Sequence, residues 1–337
     1  MIYASVDAVE KALRDIGEAD AAAIVAARER QDSLTKPRGS LGRLEELALF
    51  MAGWQGRPIP TCDKGKVVVF AGNHGVAARG VSAFPVAVTA QMVANFQAGG
   101  AAINALAGAA GLALEVVAID LDRPTADFTE GAALSVDDCL EALSIGARTV
   151  SEDLDLIALG EMGIGNSTAA AALAARSFGG SAMLWTGPGT GVDDVGMARK
   201  IAAVEAGLAR HRDAPSTAFE TLRRLGGREI VAIAGAVLRA RQLRVPILLD
   251  GYICCAAIAP LAAANPAITA HCLAGHQSAE PGHIRLLDRL GLRPLLNLDM
   301  RLGEGSGAAL AAMLVRAALE AHAGMASFAE AGVANRA

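Results

Sequence analysis

The chain has 337 residues, of which 53% are hydrophobic and 4% aromatic, and it carries a net charge of −5. A chain of this length can form one large domain, or a main domain with a small one. Proteins that bind nucleic acid usually have an excess of positive charge. This chain has a negative net charge, so no nucleic-acid partner is expected. A phosphate ligand would have to be held locally, by backbone amides and one or two basic side chains.

The amino-terminal segment is not typical of a targeting sequence. Acidic residues come early in it, and no long apolar stretch follows a basic start, so no signal peptide is predicted. The longest apolar run, Tyr252 to Ala264, is short and contains Pro260, so no membrane span is predicted. The five cysteines are odd in number and form no CxxC pair, which favours reduced thiols in a cytoplasmic protein.

The predicted elements change in character along the chain. Residues 1–60 have helical periodicity and no convincing strand, and we expect them to form a small helical domain with part of 306–337. Residues 61–305 alternate apolar runs with helical stretches and are expected to form the main domain. The predicted strands are Lys66–Ala71, Glu115–Asp120, Asp155–Gly160, Ser181–Thr186, Val245–Asp250, Ile268–Leu273 and Pro294–Asp299. The main predicted helices are Val88–Ala110, Val136–Val150, Ser167–Ser177, Val195–Arg212 and Arg228–Arg239.

This order of elements predicts the fold class. The strands are apolar on both faces, as strands covered by helices on both sides are. Alternation of strand and helix over most of the chain predicts an α/β fold with a doubly wound, mainly parallel, Rossmann-like sheet.

Several predicted strands are followed by glycine-rich turns. In open α/β sheets, ligands bind outside the carboxyl ends of the strands, so these turns are expected to face one crevice. Tight turning between strand and helix is the alternative explanation for any one of them. The turns are Gly72–Gly75, Gly160–Gly165, Gly187–Gly191, Asp250-Gly251 and Gly303–Gly305.

The turn Gly160–Gly165 and the two residues after it have the spacing of a P-loop, with Asn166 in place of the lysine. Loss of that lysine argues against an NTPase, but small residues before a helix still suit a single phosphate. Gly163, Gly165, Asn166 and Ser167 are therefore candidate phosphate ligands. The alternative is an ordinary turn with a helix cap. Lys200 is a candidate for the positive charge, although an isolated lysine there is more often a solvated surface residue.

Two carboxylates are candidates for the chemistry. Glu304 stands between glycines after a predicted strand and before a helix, and partial burial there would raise its pKa toward the range of a general base. A glutamate that stabilises the first helical turn would look the same in the sequence. Glu161 is expected in the same crevice, where it could orient a substrate hydroxyl or ring nitrogen, or accept hydrogen bonds from its own turn.

No metal site is predicted. The segment His271–His283 is rich in histidine, but its spacing matches no standard zinc pattern. The acidic pairs Asp193-Asp194 and Asp120–Asp122 are more typical of caps and turns than of a magnesium site. No cofactor is expected.

Taken together and in order, seven segments from about residue 33 to 321 resemble one family, the nicotinate-nucleotide–dimethylbenzimidazole phosphoribosyltransferases. A set of seven ordered motifs is far more specific than any one of them. The segments are Lys36–Arg43, Ala71–Val76, Val88–Asn104, Gly160–Thr168, Gly187–Asp194, Ser278–His283 and Leu298–Gly307.

The resemblance implies a Rossmann-like large domain, a small helical domain and a homodimer. It implies that Glu304 is the active-site glutamate, that Gly163 to Ser167 bind phosphate and that Lys200 is the active-site lysine. The substrates implied are nicotinate mononucleotide and dimethylbenzimidazole. Further substrate contacts are expected from Gly187, Ser278, Arg301, Leu302 and Gly303, and the base pocket resembles one formed here by Phe84, Met92 and Met162.

The resemblance therefore implies transfer of phosphoribose from nicotinate mononucleotide to dimethylbenzimidazole, with inversion at C1′. A nicotinamide-dependent oxidoreductase is a rival, but Gly160–Gly165 lacks the GxGxxG spacing that it requires. A non-catalytic carrier of the nucleotide or base is a rival from another class. Release of nicotinate distinguishes a transferase from a carrier.

Overall fold

One sheet of six strands, all paired in parallel, forms the centre of the protein in the computed structural model, which describes residues 1–334. Its spatial order is β2-β1-β3-β4-β5-β6. The predicted parallel α/β class is confirmed. The strands are β1 Gly65–Ala71, β2 Ala113–Ala118, β3 Leu156–Met162, β4 Ile247–Leu249, β5 Cys272–His276 and β6 Pro294–Leu296.

Helices connect and cover these strands. The amino-terminal helices are α1 Val6–Arg14, α2 Ala21–Ser33 and α3 Arg43–Gln55. The central ones are α4 Ala87–Ala98, α5 Ala102–Ala110, α6 Val136–Arg148, α7 Asn166–Phe178, α8 Ala182–Trp185, α9 Asp194–Arg210, α10 Ala218–Leu225 and α11 Arg228–Leu243. The carboxyl-terminal ones are α12 Tyr252–Ala264, α13 Pro281–Leu290, α14 Ser306–Gly324 and α15 Phe328–Ala331. Short 3₁₀ helices occupy Gly75–Arg79 and Pro266–His271.

The sheet is covered on both faces because successive side chains of a strand point to opposite sides. In β1, Val68 and Phe70 belong to a core shared with α6, α7, α11 and α12. Val67 and Val69, on the opposite face, belong to a second core shared with α3, α5 and α14. All four side chains are fully buried. This explains why these four consecutive residues are all apolar.

Two of the predicted strands are wrong in whole or in part. Residues 182–185 of the predicted strand Ser181–Thr186 form the short helix α8, in which the Thr186 hydroxyl donates to the carbonyl of Ala182 at 2.9 Å. An apolar run this short fits a buried helical turn as well as a strand. Most of the predicted strand Ile268–Leu273 is a 3₁₀ helix that begins with a proline, and β5 starts only at Cys272. Proline favours the first turn of a helix because it has no N–H to lose.

The single helix predicted over 88–110 is two helices. Gly99 ends α4 in the left-handed conformation, with φ of 80°, and Gly100 separates it from α5. Such a glycine commonly ends a helix because it has no Cβ. Both halves are helical, so the prediction was wrong only in treating them as one continuous helix.

The terminal segments contain the helices predicted for them. Helices α2, α3 and α14 pack together, while α14 also packs on strands β3, β4 and β5. The division of the chain near residue 60 stays a prediction. None of the helices described over residues 1–334 is long and apolar enough to cross a membrane.

The winding of the sheet creates a switch point between β1 and β3. The chain passes from β1 outward to β2 and then returns to β3 on the other side of β1. The loops after β1 and β3 therefore diverge at neighbouring carboxyl ends, which is the usual ligand-binding position in open α/β sheets. The glycine-rich turns after Ala71 and Met162 both lie there.

Candidate active site

A cavity opens at the carboxyl ends of the strands and brings together most of the predicted site residues. Its lining includes the ends of β3 and β5 and the loops before α7, α9 and α14. Four predicted residues, Glu304, Gly187, Phe84 and Met92, are not among the lining residues. Those that are include Glu161, Met162, Gly163, Gly165, Asn166, Ser167, Lys200, Ser278, Arg301, Leu302 and Gly303.

The candidate phosphate loop lies at the amino terminus of α7. Gly165 precedes the helix with φ of 96°, a conformation that favours glycine because it lacks a Cβ. Close packing also limits Gly163, where a Cβ would lie 2.7 Å from the Gly72 carbonyl oxygen. The loop therefore presents backbone and a helix amino terminus to the cavity, an arrangement that favours an anion.

Lys200 supplies a positive charge beside this loop. Its side chain comes from α9 and is 1% exposed, so the surface alternative for this lysine is wrong. The ammonium donates to Ser167 Oγ at 3.0 Å and to the carbonyl of Gly187 at 2.6 Å. Burial lowers the pKa of Lys200, and the nearby carboxylate of Glu280 opposes that effect. The lysine thus joins the predicted phosphate loop to the 187–191 turn.

The 187–191 turn follows a helix rather than a strand, but it still reaches the cavity. A Cβ on Gly187 would lie 2.0 Å from Glu280 Oε2, so only glycine fits beside that carboxylate. Arg301 Nη1 donates to the carbonyl of Gly189 at 3.3 Å across the cavity mouth. Ser278 is buried and accepts from the backbone N–H of Glu280 at 3.3 Å.

Glu304 lies in an unusual backbone turn next to the cavity. Gly303, Glu304 and Gly305 all have positive φ, at 79°, 63° and 79°. A glutamate with positive φ is uncommon, and such residues cluster at functional sites. Its side chain is 6% exposed. Burial, and next the negative charge of Asp250, raise the pKa of Glu304 to about 7, which is within the range useful for a general base near neutral pH.

Glu161 is the second buried carboxylate at this edge of the sheet. It lies near the end of β3, and Asn166 Nδ2 donates to its Oε2. Burial raises the pKa of Glu161 well above its usual value, with further contributions from Asp250 and Glu229. A Cβ on Gly303 would lie 2.5 Å from Glu161 Oε1, so the Glu304 turn packs directly against this carboxyl.

The three residues predicted to surround the base lie in different environments. Met162 is half-buried and lines the cavity. Met92 is also half-buried and packs against the core on the α14 side of the sheet. Phe84 is 48% exposed, in the segment before α4. Only Met162 meets the cavity directly, so the role of the other two stays a prediction.

Several residues in or beside the cavity were missed by the sequence interpretation. Asp250, at the end of β4, is fully buried and accepts backbone hydrogen bonds from the start of α14. His276, Tyr252, Glu280 and Val81 line the cavity. Asp250 and Tyr252 stand in or next to a predicted glycine turn, and His276 and Glu280 stand in the histidine-rich segment. Neither position says where a side chain points.

Two histidines of the histidine-rich segment have structural roles. His271 and His283 are fully buried, and His283 Nδ1 accepts from the backbone N–H of Ser278 at 2.8 Å. Within residues 1–334, no group of three or more His, Cys, Asp or Glu side chains is placed to hold a metal ion.

Comparison with known proteins identifies the family. Residues 16–333 match a family described as phosphoribosyltransferase. A nicotinate-nucleotide–dimethylbenzimidazole phosphoribosyltransferase from Novosphingobium aromaticivorans is 68% identical over 99% of this chain and 98% of its own length. The protein of the same name from Mesorhizobium japonicum is 56% identical over 100% of both chains.

The fold agrees with that of a solved relative. The crystal structure of the phosphoribosyltransferase of this name from Thermus thermophilus superposes with a TM-score of 0.87. It is 42% identical, and the match covers 94% of this chain and 100% of that one. The chain is therefore an enzyme that belongs to the nicotinate-nucleotide–dimethylbenzimidazole phosphoribosyltransferase family.

Proposed function

We propose that the enzyme transfers the 5-phosphoribosyl group of nicotinate mononucleotide to 5,6-dimethylbenzimidazole. The products are α-ribazole 5′-phosphate and nicotinate, the former for the lower ligand of cobalamin. One observation carries the mechanism: Glu304, a buried acid whose pKa is raised to about 7, lies beside the cavity that contains the candidate phosphate loop. The names of the relatives support the substrates.

The phosphate of the nucleotide is proposed to bind at the start of α7. Backbone groups of Gly163 to Ser167 and the helix amino terminus favour the anion. Lys200 adds a buried positive charge at 3.0 Å from Ser167 Oγ. An ammonium that already bonds to a carbonyl and a hydroxyl is fixed in place, so it can meet the phosphate without further ordering.

Glu304 is proposed to act as the general base. Dimethylbenzimidazole is a weak nucleophile while its N–H proton remains, and the Glu304 carboxylate would remove that proton as the other ring nitrogen attacks ribose C1′. The leaving group is a cationic pyridinium, so nicotinate departs without prior activation. Attack from the face opposite to nicotinate converts the β-glycosidic bond into an α bond. Glu161, whose raised pKa favours the protonated acid, would orient a substrate hydroxyl or ring nitrogen.

Incubation with both substrates tests the proposal. Mass spectrometry is expected to detect α-ribazole phosphate together with an equal amount of nicotinate. Glu304→Gln keeps the shape of the side chain and removes the base, so turnover is expected to fall by about two to four orders of magnitude while substrate binding survives. Near-normal turnover in this variant would reject Glu304 as the base, and binding without nicotinate release would favour a carrier.

We also propose a homodimer in the cytoplasm. The family resemblance supports the dimer. The five cysteines are buried free thiols, a state expected in a reducing compartment. Light scattering after size-exclusion chromatography tests the oligomeric state, and a mass of one chain would reject the dimer.

A further inference from the structure

The turn that carries Glu304 is only partly stabilised by its own hydrogen bonds, in which the N–H and hydroxyl of Ser306 donate to the Gly303 carbonyl at 3.1 and 2.7 Å. Its three residues with positive φ form no regular structure, and α14 begins immediately after them at Ser306. The first N–H groups of a helix have no partner within the helix, so a buried helix start requires acceptors from elsewhere. No side-chain cap from the turn itself fills this role for α14.

Asp250 supplies these acceptors. Its Oδ2 accepts from the Gly305 backbone N–H at 3.1 Å, and its Oδ1 accepts from the Ala308 N–H at 2.9 Å. The side chain is 0% exposed. Because its hydrogen-bond partners are N–H donors at a helix amino terminus, the arrangement favours the ionised carboxylate over the protonated form.

The space around the turn permits little movement. A Cβ on Gly160 of β3 would lie 2.4 Å from the Gly305 nitrogen, and one on Gly307 would lie 1.9 Å from His276 Nδ1. The turn is therefore in direct contact with β3, and the first turn of α14 that follows it is in contact with a β5 side chain. Asp250, which follows β4, holds it from between these two strands.

Four further ionisable side chains face Asp250 from the neighbouring elements. Glu161 approaches from β3, His276 from β5, and Cys254 and Cys255 from α12. His276 Nδ1 lies 3.6 Å from Asp250 Oδ1, which is too far for a good hydrogen bond. Burial raises the pKa of Asp250, while His276 and the backbone N–H donors oppose that effect.

We propose that Asp250 is a positioning residue for the transfer reaction, because its carboxylate fixes the backbone of the Glu304 turn and places a second negative charge behind the base. This inference rests on the proposed function. The two parts of the role are separable. Loss of the hydrogen bonds misplaces Glu304, and loss of the charge allows Glu304 to give up its proton at lower pH.

Asp250→Asn tests both parts, since the amide has nearly the same shape but no charge and only one acceptor oxygen. One of the two N–H groups then faces an NH₂ donor. We expect kcat to fall by about tenfold to a hundredfold, because the displaced turn misplaces Glu304 relative to the substrate. The acidic limb of the kcat–pH profile is expected to move by about one unit to lower pH.

Asp155→Asn is the matched control. Asp155 is also a buried aspartate beside a strand, at the opposite end of β3, and it accepts from the N–H groups of Asp63 and Lys64 at 2.9 and 3.0 Å. Its replacement removes two comparable backbone hydrogen bonds, together with the contacts to Arg57 and Thr61, far from the cavity. We expect it to lower stability and leave the midpoint of the acidic limb unchanged.

The outcomes decide the proposal. A shifted acidic limb in Asp250→Asn alone supports it. An unshifted limb, or the same shift in Asp155→Asn, overturns it. If Asp250→Asn does not fold, Asp250→Ser keeps one hydroxyl acceptor for the helix start without the charge, and the same two outcomes apply.

A separate readout distinguishes this inference from the proposed function. If the wild-type enzyme makes no α-ribazole phosphate, the proposed function fails. Titration of the Glu304 carboxyl by ¹³C NMR, assigned by its loss in Glu304→Gln, still measures the effect of Asp250. An identical titration in wild type and Asp250→Asn overturns the inference whatever the reaction is.

Discussion

The ammonium of Lys200 donates a hydrogen bond to the hydroxyl of Ser167 at 3.0 Å. Lys200 is on α9 and Ser167 is in the first turn of α7, so this contact joins two helices at the proposed phosphate site. Burial of an ammonium is costly, and it is tolerated where a ligand or fixed dipoles compensate. A single phosphate bound at the start of α7 would offset the cost of burying the Lys200 ammonium.

Lys200→Met is expected to weaken nucleotide binding. It keeps most of the volume and removes the charge, so KM for nicotinate mononucleotide is expected to rise about tenfold to a hundredfold, as for a lost charged hydrogen bond. KM for dimethylbenzimidazole is expected to stay nearly constant. Lys64→Met, at an exposed lysine near the opposite end of the sheet, is the control. Equal changes in both KM values would argue against a phosphate contact.

The raised pKa of Glu304 predicts a pH-dependent contribution to stability. The folded-state pKa of about 7 lies above the ordinary value of 4.5, so the folded protein binds this proton more tightly than the unfolded chain. The contribution is fully present below about pH 4.5 and is lost as pH rises through about 7, and its full size is about 3 kcal/mol.

The measurement is the free energy of unfolding of wild type relative to Glu304→Gln, which lacks the group. Between about pH 4.5 and pH 8 this difference is expected to decrease, with most of the change complete near pH 7. Denaturant titrations at several pH values provide it. A difference that is independent of pH would mean that the carboxyl is not perturbed by burial.

Gly160→Ala is expected to disturb the active site without touching a polar group. The added Cβ would lie 2.4 Å from the Gly305 nitrogen, so either the strand or the Glu304 turn must move. We expect a loss of about 1–3 kcal/mol in stability, typical of overpacking, and at least a tenfold decrease in kcat. Gly108→Ala in α5 is the control, because nothing lies within 4 Å of its added Cβ. A Gly160→Ala enzyme with normal kcat would show that the turn tolerates displacement.

Base selectivity tests the environment of Met162. A thioether offers no strong hydrogen-bond donor, so a flat methylated heterocycle is favoured over a purine, whose polar edges would be buried unpaired. Wild type is expected to prefer dimethylbenzimidazole over adenine by about tenfold to a hundredfold in kcat/KM. Met162→Gln is expected to reduce this ratio. Equal values for the two bases in wild type would reject the apolar pocket.

Met92→Gln then decides whether Met92 meets the base. The side chain packs against the core on the α14 side, so a polar replacement there is expected to lower stability. If it also changes the ratio of kcat/KM for the two bases, Met92 lines the pocket as predicted. If both bases are affected alike, its role is in packing.

Treatment with EDTA is expected to leave activity unchanged. The pyridinium leaving group already carries the positive charge that a metal ion would otherwise supply. Rates before and after treatment, with and without added Mg²⁺ or Zn²⁺, provide the check. Activity that returns only with one of these ions would show that the acidic pair Asp193-Asp194 or the segment His271–His283 has been misinterpreted.

The sequence by itself was enough to predict the parallel sheet, the end of that sheet at which the cavity lies, and the family. Apolar runs such as that ending at Ala71 have no polar face because both sides of the sheet are covered, and this pattern is local and readable. The glycines after Met162 are a second local signal, because glycine is favoured where two backbone segments lie close together. The sequence prediction was wrong where the apolar run was short, as at Ser181–Thr186, because a few apolar residues fit either a strand or a buried helical turn.

Only the tertiary structure decided which side chains act together. Asp250 and Gly305 are far apart in the chain. Their hydrogen bond forms because the end of β4 lies next to the start of α14 in the folded protein. The burial of Lys200 likewise depends on how α9 packs against α7. Hydrogen-bond partners and pKa shifts depend on distances of a few ångströms between distant segments, and those distances are set by packing of the whole sheet and its helices.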